Sequence, residues 1–158
     1  MLIELLLAAM LSLGLLVAQD APATTRPDDP AASLVGTWKA ESAVMAGQTM
    51  PAEMIAAITL TMEPGDGELL DYTLDLGGAE DRGTITLDAG TGPMGLTITG
   101  TGGPNDGKVF PAIFEIDGDT LRICYDLSEQ ERPAAFESSP GTMQFLATYR
   151  RATPTTRP

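Results

Sequence analysis

Residues 102–108, Gly-Gly-Pro-Asn-Asp-Gly-Lys, carry the spacing of a phosphate-binding loop, in which a glycine and four further residues lead into Gly107 and Lys108. Such a loop needs a Ser or Thr after the lysine to hold Mg²⁺, and a helix whose N-terminus faces the phosphates. Val109 stands in the hydroxyl position, and Phe110-Pro111 opposes the helix, so the stretch is read as a hairpin loop. Carboxylates crowd "EPGDGE" at 63–68 and "EIDGD" at 115–119. Neither reproduces a calcium-binding loop of about twelve residues, and Asp-Gly is an ordinary hairpin turn. Glu80 with Asp81, or Glu129 with Glu131, are pairs that could share acid and base roles, but nothing in the sequence gives either pair a setting that separates the two pKa values. Ser33, Ser42, Ser128, Ser138 and Ser139 have neither a nucleophile-elbow context nor an imidazole partner. No catalytic residue is assigned, and the chain is expected not to be an enzyme.

The chain contains no His, which removes the usual general base, most zinc sites and proximal haem ligation. Its single cysteine, Cys124, has no second thiol for a disulfide and no nearby activating group, so it reads as a small residue on a strand. No metal and no cofactor are expected. Nine basic residues against twenty-two acidic ones leave a net charge of −13, which repels phosphate backbones and excludes nucleic acid as a natural partner.

The 158 residues suit one ordinary domain between two unlike ends. Leu5 to Ala18 is an unbroken apolar or small stretch, short for a membrane span, and Ala21 and Ala23 occupy the positions a signal peptidase reads. Residues 1–23 are therefore expected to be a signal peptide, with an uncleaved anchor as the alternative. Glu4 in place of a basic residue makes the signal atypical, and the absence of a following Cys excludes lipid anchoring. The expected location is the periplasm, cell envelope or extracellular space, without stable membrane insertion once the signal is removed. Residues 24–33 read as a flexible Pro/Thr/Asp-rich leader and 152–158 as a disordered tail, both carrying "TTRP".

The elements that must position any site lie within 34–151, where period-two alternation recurs almost throughout. Trp38, Ala40, Ser42 and Val44 fall on one face of a first strand. "PAEMIAAI", opening at Pro51, reads as a short helix between the first and second strands. Six strands follow, with Ile58, Leu60 and Met62, then Leu70, Tyr72, Leu74 and Leu76, then Ile85 and Leu87, then Leu96 and Ile98, then Phe110, Ala112, Phe114 and Ile116, and then Leu121, Ile123, Tyr125 and Leu127 turned inward. The last strand turns Met143, Phe145, Ala147 and Tyr149 the same way. One apolar and one polar face per strand, joined by short hairpins, predicts an all-β fold: an antiparallel up-and-down barrel of about eight strands. The Gly-rich stretches at 77–83 and 89–95 read as surface loops.

"GTWK" at 36–39 ahead of an antiparallel meander resembles the calycin barrels, the lipocalins and fatty-acid-binding proteins. "GPNDGKVFPAIFEIDGDTLRICYD" at 103–126, "ERPAAFESSPGT" at 131–142 and the closing "YRR" are more specifically similar to a lipocalin-like domain family of unknown function, expanded in planctomycete bacteria. "MPAEM" stands where that family carries Leu-Pro, and the middle strands are richer in glycine. The resemblance implies that Trp38 plugs the closed end of the barrel beneath a basic residue of the last strand, taken as Arg150, in a cation–π contact. A closed barrel of about eight strands either packs its own interior or holds one small apolar or amphipathic ligand between its inward-facing side chains. The candidate lining is Tyr72, Leu74, Leu96, Ile98, Phe114, Ile123, Tyr125 and Phe145. The alternative is a solidly packed barrel acting as a cell-envelope interaction module through its loops. The protein is taken as a monomer. An interior above about 300 Å³ with an open mouth would favour the ligand; filled layers would favour the module.

Overall fold

The computed structural model describes residues 29–88, 90 and 92–153. The expected signal peptide, the leader up to residue 28 and the tail from 154 lie outside the described residues. Two short helices, α1 (Pro30–Leu34) and α2 (Ala52–Ala56), accompany nine strands: β1 (Gly36–Met45), β2 (Gln48–Thr49), β3 (Ile58–Pro64), β4 (Leu70–Leu76), β5 (Glu80–Asp88), β6 (Met94–Gly102), β7 (Val109–Asp117), β8 (Thr120–Asp126) and β9 (Gln144–Arg151). All pairings are antiparallel, in the order β2-β1-β3-β4-β5-β6-β7-β8-β9, and β1 also pairs with β9. That last pairing closes an eight-stranded barrel and leaves β2 as a two-residue flap on β1. α2 consequently lies between β2 and β3. No helix among the described residues is long and apolar enough to cross a membrane.

The alternation of the sequence becomes the inside and outside of this barrel. Leu60, Met62, Leu70, Tyr72, Ile85, Leu96, Ala112, Phe114, Leu121, Ile123, Ala147 and Tyr149 all join one buried core. Each large aliphatic or aromatic side chain so enclosed contributes roughly 1.5–3 kcal/mol over its exposed state. β1 departs from strict alternation. A bulge between Ala40 and Ser42 inserts Glu41 as an extra residue, so Ala43 rather than Ser42 turns inward. A bulge flips the parity of everything beyond it. The expected Gly-rich loops are also shorter than read: β5 already begins at Glu80 and β6 at Met94.

One end of the barrel is closed by α1, within the stretch expected to be a flexible leader. The Asp29 carboxylate caps it by accepting from Ala31 N at 3.0 Å, Pro30 fits the first turn, and Leu34 is wholly buried. A single turn has no stability of its own, so packing onto the barrel holds it. The outer surface is not uniformly wet. Ile113 and Cys124, both outward on their strands, are buried, and the segment 127–143 crosses over Cys124. The Asp126 carboxylate starts that segment by accepting from the Ser128 hydroxyl and from the N–H groups of Ser128, Gln130 and Glu131. Further along, Arg132 bridges to Asp88, Arg122 lies 4.6 Å from the Phe136 ring centre, and the Cys124 thiol donates to Glu137 O at 3.3 Å.

Candidate functional site

Two places in a barrel of this kind can hold chemistry, the interior and the ends. The interior is almost full. At its centre a space of about 40 Å³ is bounded by Leu60, Tyr72, Leu74, Asp81, Ile85, Ile98, Asn105, Ile123, Tyr125 and Tyr149. Tyr72, Leu74, Ile98, Ile123 and Tyr125 were expected there. Leu96, Phe114 and Phe145 are buried in the core without bordering that space. Aromatic rings fill what would be the cavity: Tyr125 stands 6.2 Å from Phe110 and 5.1 Å from Phe145, both in tilted contact.

The residues that sequence reasoning did not place inside are polar. Asp81 is buried and accepts from Tyr72 Oη at 3.1 Å, Asn105 N at 3.1 Å and Asn105 Nδ2 at 3.0 Å. Three donors on one carboxylate supply the satisfaction that burial demands. The loop 103–108 delivers Asn105 because it folds back on the barrel so closely that a Cβ at Gly100 would collide with Asn105 O. Glu80, by contrast, points outward to Arg82 at 2.9 Å, so the two neighbouring carboxylates sit on opposite sides of the wall and cannot act as a pair. Parity carried back from Ile85 and Gly83 would have placed Asp81 inside. No signal marks the inward fold of Asn105. Burial raises the Tyr72 phenol above its ordinary value, and the Asp81 charge and hydrogen bond add to it. Burial also raises Tyr125 and Tyr149. None of these phenols is set up as a base.

At the closed end, Trp38 is wholly buried and donates from Nε1 to Leu34 O at 2.8 Å. Its guanidinium cover is Arg151, at 4.1 Å from the ring centre, and not the expected Arg150. The register explains the correction: Trp38 pairs with Arg151 across the β1–β9 ladder, and Lys39 with Arg150. Arg150 therefore points outward and donates from Nε to Glu41 Oε1 at 2.6 Å. Arg151 also donates to Val35 O at 2.8 Å and Ser33 O at 2.7 Å, tying α1 over the tryptophan. This assembly is a plug with its polar groups used internally.

At the α1 end of the barrel, an open hollow of about 750 Å³ runs between α1, the β3–β4 turn and the ends of β5 and β6, lined by Leu70, Leu87 and Met94 of the core side, with Asp29, Glu68 and Asp88 on its rim. A second hollow of about 380 Å³ lies on the other side of α1, against Phe114 and Phe136. No set of three His, Cys, Asp or Glu among the described residues is placed to hold a metal ion. Fold and site together define a closed antiparallel barrel with a filled interior. No protein-family model matches the chain, and no curated protein matches it.

Proposed function

We propose that this chain is an exported, non-enzymatic, lipocalin-like barrel that works as an interaction module through its outer surface. The observation that carries this reading is the packed centre of the barrel, where the space among Tyr72, Ile123 and Tyr125 is about 40 Å³; the larger space, of about 750 Å³, is an open hollow at the α1 end and not an enclosed cavity. Pockets for small organic ligands measure roughly 300–1,000 Å³, so an acyl chain would have to displace several core side chains. The space that remains suits one or a few water molecules near Asp81 and the tyrosines. The lipocalin-like assignment rests on the motifs at 36–39, 103–126 and 131–142. Export rests on the apolar run Leu5 to Ala18 with Ala21 and Ala23 behind it. The buried Asp81 carboxylate is occupied by three donors and is not turned to a substrate.

Native mass spectrometry of the mature protein, followed by titration with a panel of fatty acids and other lipids, tests the reading. The expected result is the bare polypeptide mass and no saturable binding. A stoichiometric co-purifying small molecule would overturn it in favour of a carrier.

A further inference from the structure

Five large apolar side chains are exposed among the described residues: Met45, Met54, Leu76, Val109 and Met143, at 37% to 53% of full accessibility. A single exposed methionine needs no explanation. Their common location does. Strand direction alternates around the barrel, and the end of β1, the end of β4, the start of β7 and the entry to β9 all fall at the end opposite α1. α2, which carries Met54, sits at that same end, since Ala57 leads straight into β3 and lies against Gly77 just beyond Leu76.

Strand pairing and hydrogen bonds join Met45, Met143 and Val109 into an arc. Met45 pairs with Phe145, and Ala46 N donates to Gln144 O, which sets Met143 beside the end of β1. Leu127 N donates to Met143 O, and Val109 N donates to the Glu129 carboxylate at 3.1 Å, which carries the arc to β7. Both ends of the described chain, Asp29 and Thr153, lie at the other end of the barrel.

The charges around this rim select the occupant. Glu53, Asp75, Asp106, Glu129 and Glu131 are exposed there, against Lys108 and an Arg82 already bound to Glu80. Such a surface repels anionic lipid, and a second copy would bring the same carboxylates face to face. Methionine is unbranched and polarisable, so a rim built largely from it adapts to apolar side chains of differing shape. We propose that the end of the barrel opposite α1 docks a basic amphipathic segment of a partner protein, its apolar side chains on the methionines and its Lys or Arg residues on the carboxylates. This inference rests on the interaction-module reading and names the surface and the partner chemistry.

The test uses the full mature chain with labelled methionine methyl groups, titrated with an amphipathic Leu/Lys helical peptide of about fifteen residues. Salt is held at about 150 mM, where the screening length is near 8 Å. The Met45, Met54 and Met143 methyl signals are expected to shift, and a Leu/Glu peptide of the same pattern to leave them unmoved. The variant M45S/M54S/M143S keeps every charge and should weaken binding at least about tenfold. Its urea midpoint confirms that it is folded.

Equal binding by the variant would mean that net charge alone holds the peptide, and would overturn the proposal. So would a concentration-dependent dimer in sedimentation that the variant loses, or binding to phosphatidylglycerol vesicles through the same methyl groups. Shifts confined to Met94 and the α1 end would remove this surface while leaving the interaction-module reading in place. A small molecule found inside the barrel would remove that reading itself.

Discussion

Two adjacent arginines at the end of β9 have opposite surroundings because a strand turns successive side chains to opposite faces. Arg151 continues the inward series Phe145, Ala147, Tyr149, and meets Trp38; Arg150 continues the outward series and meets Glu41. The same parity could have identified Arg151 from sequence. A guanidinium does cover the indole, but it comes from the residue after the expected one, on the opposite face of the strand. Energies should follow the geometry. Replacing Arg151 with Ala removes one hydrogen bond to α1, one to the Val35 that follows it and the cover on the indole, and is expected to cost about 2–3 kcal/mol in urea unfolding. Replacing Arg150 with Ala breaks only an exposed ion pair and should leave the midpoint almost unchanged. Equal losses from the two variants would refute the parity account. At the other end of the barrel, Tyr72→Phe removes one of three donors to the buried Asp81 and should cost about 1–2 kcal/mol, with the interior otherwise intact.

Among the elements, the long strands were legible and the irregular segments were not. Alternation over 58–62, 70–76, 109–116 and 121–125 leaves little freedom in which face turns inward, because a slip by one residue would expose the whole apolar set. The bulge at Glu41 and the single turn α1 have no comparable periodic signal. The segment 127–143 is held by contacts of Arg132 and Phe136, with the intervening Pro133 buried, and these form no pattern in the sequence. Its first anchor makes a pH prediction. Burial would raise the Asp126 carboxyl, but hydrogen bonds from the Ser128 hydroxyl and the N–H groups of Glu131, Ser128 and Gln130 outweigh it and hold the carboxyl below its ordinary value. A lowered folded-state pKa means stabilisation that is present above the unfolded value near 3.9 and lost as pH falls through the folded one. Amide exchange at Ser128, Gln130 and Glu131 should therefore become less protected, relative to the rest of the barrel, only in acid below that range. The Cys124 thiol, pushed up by burial, reports on the same segment. Near neutral pH its alkylation should be slow in the native protein and at least about tenfold faster in Asp126→Ala, whose segment opens more often. Equal alkylation rates would show that Asp126 does not hold the segment down.

For the molecule as a whole, closure of β1 on β9 is what turns a meander into a sealed container, and it joins strands from the two ends of the domain. The alternation announced a barrel, yet it could not say whether the barrel was hollow. Inward positions carrying Ala fit either case, and the outcome depends on ring packing around Tyr125 and on the inward fold of Asn105. A sealed barrel that unfolds as one unit has a measurable signature in alkali. All three tyrosines of the chain, Tyr72, Tyr125 and Tyr149, have phenols raised by burial, with Asp81 adding to Tyr72. For an acid whose folded-state pKa is raised, the stabilisation is complete below the unfolded value near 10 and declines as pH rises above it. The slope adds over the three groups, so stability should fall steeply above about pH 10. In a titration followed by absorbance and circular dichroism together, tyrosinate should appear only as the sheet signal disappears, with one midpoint for both. A phenol that ionised reversibly near pH 10 with the sheet intact would mean that water reaches the interior, and the sealed barrel on which the interaction-module reading stands would fall with it.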